Sequence, residues 1–514
     1  MRSSRFLFLL SAAALLASGE IASAAVKLPN VISNHMVLQQ SVAAPIWGTA
    51  APEERVTVKF RDQSKSAVAD KDGNWSVKLD PLKAGGPDVL TVTGTNELTI
   101  NDVLIGEVWI GSGQSNMAGT VANYAKTDPM LAELAKTARP KMRFLKSSGV
   151  WAVSTTETNQ QASAILFAFG VRLQDKLDTP VGLMLGAVGG TPSGYWLTQE
   201  MLDADSGCQE QASKYDQTHP LEVRQKRFEV LKAAYEKQLE AAKAANKNPP
   251  RVPVLEPAGG KSNGIIGHLF NAHIRPMAPY AFRGVLWDQG ESGTAIGGVD
   301  QFNAMHALIL GWRKYWNQGD FPFLYVQKVS GLGCAWDYSD PVTNMAEKFS
   351  ALPAAVPNDG QYRELHIRIM QHPQTAMVTS SDLGTMTHPL NKSGYGTRAA
   401  QVARGFVYGE KVEYYGPTYE SHSVEGDKVR VRYTHVGKGL AFRNGDKLQG
   451  FAVAGADKSF RWATATIDGD SVVLNCPEVK EPKFVRYGWS QNQTWANLFN
   501  QDGLPAIPFR TDKD

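Results

Sequence analysis

Cysteine is scarce in this chain: its 514 residues include 3, at positions 208, 334 and 476. Three cysteines so widely spaced, with no CxxC pair, exclude a disulfide-stapled scaffold and allow at most one bridge. They also argue against a zinc or iron–sulfur site. An excess of charge of one sign is lacking too. Lys and Arg total 53 against 50 Asp and Glu, a net charge of +3, which is no electrostatic footprint for nucleic acid. Charged residues at 20% beside 9% aromatics exclude a disordered chain. Beyond the leader described below, no stretch approaches the roughly 20 apolar residues of a membrane span. Several reactive signatures are missing as well: no HExxH, no GxxxxGK(S/T), and no GxGxxG between a strand and a helix. His268 and His273 lack the same-face spacing of two helical metal ligands. No GxSxG surrounds a serine, which argues against an ordinary α/β-hydrolase elbow.

What is present begins with a leader. Arg2 and Arg5 open the chain, 6–17 is apolar, and Ala22-Ser23-Ala24 is a small-residue cleavage pattern. This predicts a secretory signal peptide over 1–24 and a protein exported to the periplasm or the extracellular space, without a membrane span once the leader is removed. The remainder is too long for one ordinary core, and two or three domains are expected.

From 25 to 103 the pattern alternates with period two: Val56, Val58 and Phe60 share one face, as do Trp75, Val77 and Leu79. Asp72-Gly73 between these runs predicts a hairpin, and the segment reads as a small all-β, sandwich-like domain. From 104 to 411 short apolar runs end in glycine-rich turns, at 108–110, 181–185, 284–287, 323–326 and 376–378. Helical periodicity lies between them, with Phe302, Met305, Ile309, Trp312 and Trp316 along one stripe. This alternation implies an α/β domain with a parallel sheet covered on both faces. Ligands then bind at the carboxyl ends of the strands. Residues 219–250, rich in Lys, Glu, Ala and Gln, read as a solvated helical insertion. After 412 the β pattern returns, with turns at Glu425-Gly426 and Asp468-Gly469, and 412–514 reads as a second β domain.

Chemistry is to be sought in the turns after those strands. EVWIGSGQSNMAG (107–119) runs an apolar strand into a turn that exposes Ser115. Serine is a poor nucleophile unless a base takes its proton and donors receive the oxyanion. Among the ten histidines, His388 follows the run 376–378 in another strand-to-loop position and is the best candidate base. It would serve Ser115 as base and then the leaving alcohol as acid. GAVGGTPSGYW offers the amides of Gly189 and Gly190, and WDQGES offers the amide of Gln289 and the carboxylate of Glu291. Each turn alone is equally a structural feature. Pattern and elimination together favour a metal-free serine hydrolase.

GEVWIGSGQSNM, the GGTP turn followed by Trp196, WDQGES and HPLNKSGYGTRAA resemble the sialate O-acetylesterase family, within the SGNH hydrolases. LPNVISNHMVLQQ, AGGPDVLTVTG and NLFNQDGLPAIPFRTD extend the similarity over nearly the whole chain after the leader, in order. The resemblance implies a flavodoxin-like parallel sheet, removal of acetyl groups from O-acetylated sugars through an acetyl-enzyme, and no cofactor. Ser115 matches the nucleophile and His388 the base. The Ser115 amide, Gly190 and Gln289 match the oxyanion hole. SGNH enzymes usually place an acid three residues before the histidine and this family often two, where this chain has Thr385 and Met386. The third member is then Asp382, folding back, or Glu291, from the neighbouring turn, or none, leaving a dyad. A second departure is Asp288, where relatives tend to have an aromatic residue, a change expected to act on the substrate pocket. Two alternatives remain open. One is an acetylxylan or other polysaccharide acetylesterase. The other is a non-catalytic carbohydrate-binding protein on a degenerate esterase scaffold, with Trp75, Trp151, Trp196 or Trp336 stacking on sugar rings. The sequence carries no signal for an oligomeric state or for which cysteines pair.

Overall fold

The computed structural model describes residues 25–512 apart from Ser148, so the leader expected over 1–24 lies outside the described residues. The five apolar runs are all strands of one parallel sheet. Its strands are β1 (Glu97–Gly113), β2 (Met142–Lys146), β3 (Val181–Ala187), β4 (Gly284–Asp288), β5 (Phe323–Val326) and β6 (Thr375–Val378), in the spatial order β2-β3-β1-β4-β5-β6. Setting aside β2, on whose outer side the two-residue strand Ala152–Val153 pairs antiparallel, the order ranked along the chain is 2-1-3-4-5, that of a doubly wound sheet. Such a sheet opens a crevice at the carboxyl ends where the strand order reverses, here between β1 and β4.

Alternation along the buried strands explains why helices cover both faces. Val108, Ile110, Val285 and Trp287 join one apolar cluster with Trp312 and Leu308 of helix Gln301–Trp316. Trp109 and Leu286 point the other way, into a second cluster with Phe167 and Phe169 of helix Ala164–Leu177 and Tyr395 and Ala399 of helix Lys392–Val402. Each helix starts where a polar side chain caps it. Ser163 accepts from the Leu166 amide, Asp300 from the Asn303 amide and Asn391 from the Gly394 amide, replacing bonds that the first turn cannot make for itself.

Strand β1 spans 17 residues. Its first half pairs antiparallel with Gly85–Thr93 in the amino-terminal β region, and its second half pairs parallel with β3 and β4. The change of sequence character near residue 104 therefore falls inside one continuous strand. The hairpin expected across Asp72-Gly73 does not form between the two alternating runs. Arg55–Phe60 pairs with Gln63–Val68, and Asn74–Leu79 pairs with Ala44–Thr49. Gln63–Val68 reads QSKSAV and carries no fully buried residue, so period-two hydrophobicity had no face there to reveal. The carboxyl-terminal β strands gather around a cluster of their own, containing Val429, Val431, Phe451 and Val485. Glu425/Lys428 and Asp468/Ser471 close hairpins at the two expected turns. The solvated helix is Leu221–Ala244, and none of its residues is buried. Among the described residues no helix is long and apolar enough to cross a membrane.

Candidate active site

The carboxyl end of β1 is shaped by one glycine. Gly113 has φ +125°, and a Cβ there would lie 2.1 Å from the Asp288 carbonyl oxygen. That close approach lets the Gln114 amide donate to the same carbonyl at 2.8 Å, so the turn leaving β1 is latched to the end of β4. Ser115 then opens a four-residue helix, Ser115–Ala118. Amides in a first helical turn have no partner within the helix, and the Ser115 amide makes no other hydrogen bond among the described residues.

His388 meets Ser115 from the loop after β6. Its Nε2 lies 2.9 Å from the serine Oγ, hydrogen-bond distance for an N···O pair. These two residues are 273 positions apart in the chain, and both follow strand ends at the same edge of the sheet. The loop after β3 packs over the serine: a Cβ on Gly189 would sit 3.5 Å from the Ser115 Cβ. Gly190, at φ +71°, has open space beside it, and its amide makes no hydrogen bond within the described residues.

The other expected site residues are placed differently. The Asp382 carboxylate is fully buried in a two-pronged pair with Arg398, at 3.1 and 2.8 Å. It is not brought to His388, because a buried guanidinium satisfies both its oxygens. Glu291 is brought to the site but not to the imidazole. It accepts from Gln114 Nε2 at 2.8 Å and Asn116 Nδ2 at 2.9 Å, and pairs with Lys328 Nζ at 2.6 Å. Gln289 is buried, and its side-chain amide is already committed. Nε2 donates to the carbonyls of Gly293 (2.9 Å) and Thr191 (3.4 Å), while Oε1 accepts from Gln301. Its side chain braces the loops after β3 and β4 against each other and has no donor left for an oxyanion. Asp288 does not reach a substrate pocket. It is completely buried beneath the turn, with Oδ1 2.7 Å from Lys328 Nζ.

Asn116 and Lys392 were not singled out in the sequence, and they knit these pieces together. Asn116 Nδ2 donates both to Glu291 and to the Thr387 carbonyl, the latter at 3.1 Å. Its Oδ1 accepts from Lys392 Nζ at 2.6 Å. The Lys392 ammonium also lies 4.5 Å from the centre of the Tyr124 ring. The signal was present in the asparagine of GQSNM and the lysine of HPLNKSG, but neither motif says which distant residue its polar side chain will meet.

Burial sets the charges of this network. Burial holds the Lys392 amine down to about 7, against the attraction of Asp288. Lys328 behaves oppositely: burial works to lower it, but Asp288 and Glu291 more than offset that, and it is raised. Burial raises the Asp288 carboxyl, opposed by Lys328. His366 beside them is pushed down to about 3 by burial and then by Lys328. Desolvation disfavours whichever form is charged, so only the lysine with two close carboxylates keeps its proton firmly.

The four tryptophans considered as sugar platforms are otherwise employed. Trp75, Trp151 and Trp196 are buried, with Trp151 Nε1 donating to the Val31 carbonyl and Trp196 Nε1 to Thr191 Oγ1. Trp336 has the Arg443 guanidinium over its ring at 4.0 Å. All three cysteines are unpaired and buried. No group of three or more His, Cys, Asp or Glu side chains among the described residues is disposed to hold a metal ion.

A hydrogen-bonded serine and histidine thus lie at the switch point of the parallel sheet, and by its likeness to known acetylesterases this chain is an esterase. It is similar over most of its length to sialate O-acetylesterases. Sialate O-acetylesterases from Pongo abelii and Homo sapiens are each 27% identical to it. The alignments cover 95% and 94% of this chain and 93% and 92% of the relatives. The crystal structure of a carbohydrate acetylesterase from Xanthomonas citri superposes with a TM-score of 0.72 at 29% identity. It covers 95% of this chain and 100% of the other. No family model matches the sequence.

Proposed function

We propose that this chain is an exported serine esterase that removes O-acetyl groups from acetylated sugars, on a flavodoxin-like SGNH-hydrolase sheet. The observation that carries the reading is the 2.9 Å contact between Ser115 Oγ and His388 Nε2 at the end of β1. His388 takes the serine proton as Oγ attacks the acetyl carbonyl. The negative charge that develops on the carbonyl oxygen faces the amides of Ser115 and Gly190, which are free of other partners. As the tetrahedral intermediate collapses, His388 returns the proton to the departing sugar hydroxyl, leaving the acetyl group on Ser115. A water that gives its proton to His388 then releases acetate and regenerates the serine. No step requires a cofactor.

The names of the relatives supply the substrate class: sialate O-acetylesterases and a carbohydrate acetylesterase act on acetylated sugars. A net charge of +3 over 514 residues supplies no strong overall field to steer substrate, so the charge does not discriminate between an anionic sialate and a neutral polysaccharide ester. Ser115→Ala is expected to abolish acetate release from a chromogenic acetate ester while leaving the fold intact by circular dichroism. Wild-type turnover by that variant would refute the reading. Acetate release from O-acetylated sialic acid and from acetylated xylan, measured side by side on the wild-type enzyme, assigns the sugar.

A further inference from the structure

Among the described residues no carboxylate hydrogen-bonds to the His388 ring, yet its loop is held at two other places. Nothing among the described residues hydrogen-bonds to His388 Nδ1, and three acids of the surrounding loops are committed elsewhere. Asp382 is paired with Arg398. Glu291 is shared among Gln114, Asn116 and Lys328. Glu347, arriving from the chain between β5 and β6, accepts the hydroxyl hydrogen bond of Thr385. Thr385 lies three residues before His388. One residue before it, the Thr387 carbonyl accepts from Asn116 Nδ2, while Asn116 is itself gripped by Glu291 and Lys392.

We propose that Asn116 and Glu347 are positioning residues that aim His388 at Ser115 through its own loop, by holding Thr387 and Thr385, in place of an acid on the imidazole. The proposal rests on reading Ser115 and His388 as the reacting pair. The physical need is plain. His388 is exposed and its side chain is otherwise free to rotate away from Ser115, and a base swinging through several rotamers spends little time at 2.9 Å. Two hydrogen bonds on a four-residue stretch restrict the backbone from which the ring projects. The anchors come from different segments: Asn116 belongs to the turn that carries the nucleophile, and Glu347 to the chain between β5 and β6. Nucleophile and base thereby share Asn116 as a common brace. Burial of Lys392 and Asn116 makes the brace stiff, since a buried polar group that loses its partner is costly. The proton still leaves the protonated imidazole to the sugar oxygen; the clamp changes where the ring points, not where protons go.

The experiment is a set of variants assayed for kcat and KM on a chromogenic acetate ester, with Tm recorded for each. Thr385→Val and Glu347→Gln remove the same bond from its two ends. Each is expected to lower kcat by about 10- to 100-fold, the scale of a misplacement of about 1 Å, with KM nearly unchanged. The double variant should cost no more than either alone, because residues sharing one interaction are not additive. Thr385→Ser, which keeps the hydroxyl, should restore wild-type kcat. Asn116→Asp retains an acceptor for Lys392 but loses the donor to Thr387, and it should lose kcat as Asn116→Ala does. Should Asn116→Ala fail to fold, the Thr385 pair decides. Wild-type kcat in Thr385→Val and Glu347→Gln would overturn the proposal. So would a strongly deshielded His388 Hδ1 resonance in wild-type enzyme that Glu347→Gln abolishes, since it would place that carboxylate on the ring. Ser115→Ala and His388→Ala serve as controls. If they remain active, the underlying assignment of the pair fails; if they are inactive while the clamp variants are unimpaired, only the positioning fails.

Discussion

Lys392 is almost completely buried, yet it lies beside a cluster that already contains Lys328, Asp288 and Glu291. Its amine is held down to about 7 from an ordinary 10.5, so between those values the unfolded chain carries a proton that the folded chain does not. Stability from this group therefore rises as pH climbs through that window, and is lost as pH falls towards 7. Lys392→Met removes the effect. Urea unfolding at about pH 6 and about pH 9.5 is expected to show wild type gaining on the variant at the higher pH. A difference between the two proteins that stays constant with pH would show that Lys392 titrates normally. At this scale Ser115 and His388 were legible because each follows an apolar strand in a polar turn. Glu347 and Asn116 were not, because a hydrogen bond between residues 38 or 271 positions apart leaves no periodic trace. Gln289 and Asp288 were legible as residues of a site turn but not in their roles. Whether an amide at a strand end faces substrate or braces a neighbouring loop depends on which carbonyls the fold brings within reach.

At the scale of elements, apolar runs bounded by glycine turns located the parallel strands, and the 3.6-residue stripe located Gln301–Trp316, because burial on both faces forces those patterns. The edge strand Gln63–Val68 escaped, since pairing at a sheet edge needs no apolar face. The helix Leu221–Ala244 is the opposite case, legible from composition and contributing nothing to the core. Its base is closed by Arg224 donating to the Glu256 carbonyl at 2.8 Å, so the two ends of the excursion meet. Replacing 225–254 with a short Gly/Ser linker is expected to leave Tm within a few degrees and turnover of a chromogenic acetate ester unchanged, because lengthening or shortening a surface loop alters closure entropy by only about 0.6 kcal/mol per doubling. Loss of the folded protein on that replacement would show that the helix packs against more than its own return segment.

The whole molecule joins its amino-terminal β region to the parallel sheet through one strand. Glu97–Gly113 pairs with β strands at one end and leads into the turn that carries Ser115 at the other. The leader over 1–24 predicts export, with cleavage after Ala24. Amino-terminal sequencing of protein recovered from the periplasm or medium of an expressing bacterium is expected to begin at Ala25; recovery of the uncleaved chain from the cytosol alone would contradict it.

By itself the sequence determined the α/β character of the central region, the ends of its strands, and a serine and a histidine beyond two of them that the fold brings into contact. Those properties are written locally, in periodicity and turn chemistry, and burial on a regular lattice of backbone hydrogen bonds reads them out directly. Only the tertiary structure decided which acids were available to the histidine. Asp382 is spent on Arg398, Glu291 on Lys328 and on Gln114 and Asn116, and Glu347 on Thr385. Each carboxylate's role is set by the nearest cation or donor in space, and chain order says nothing of that distance.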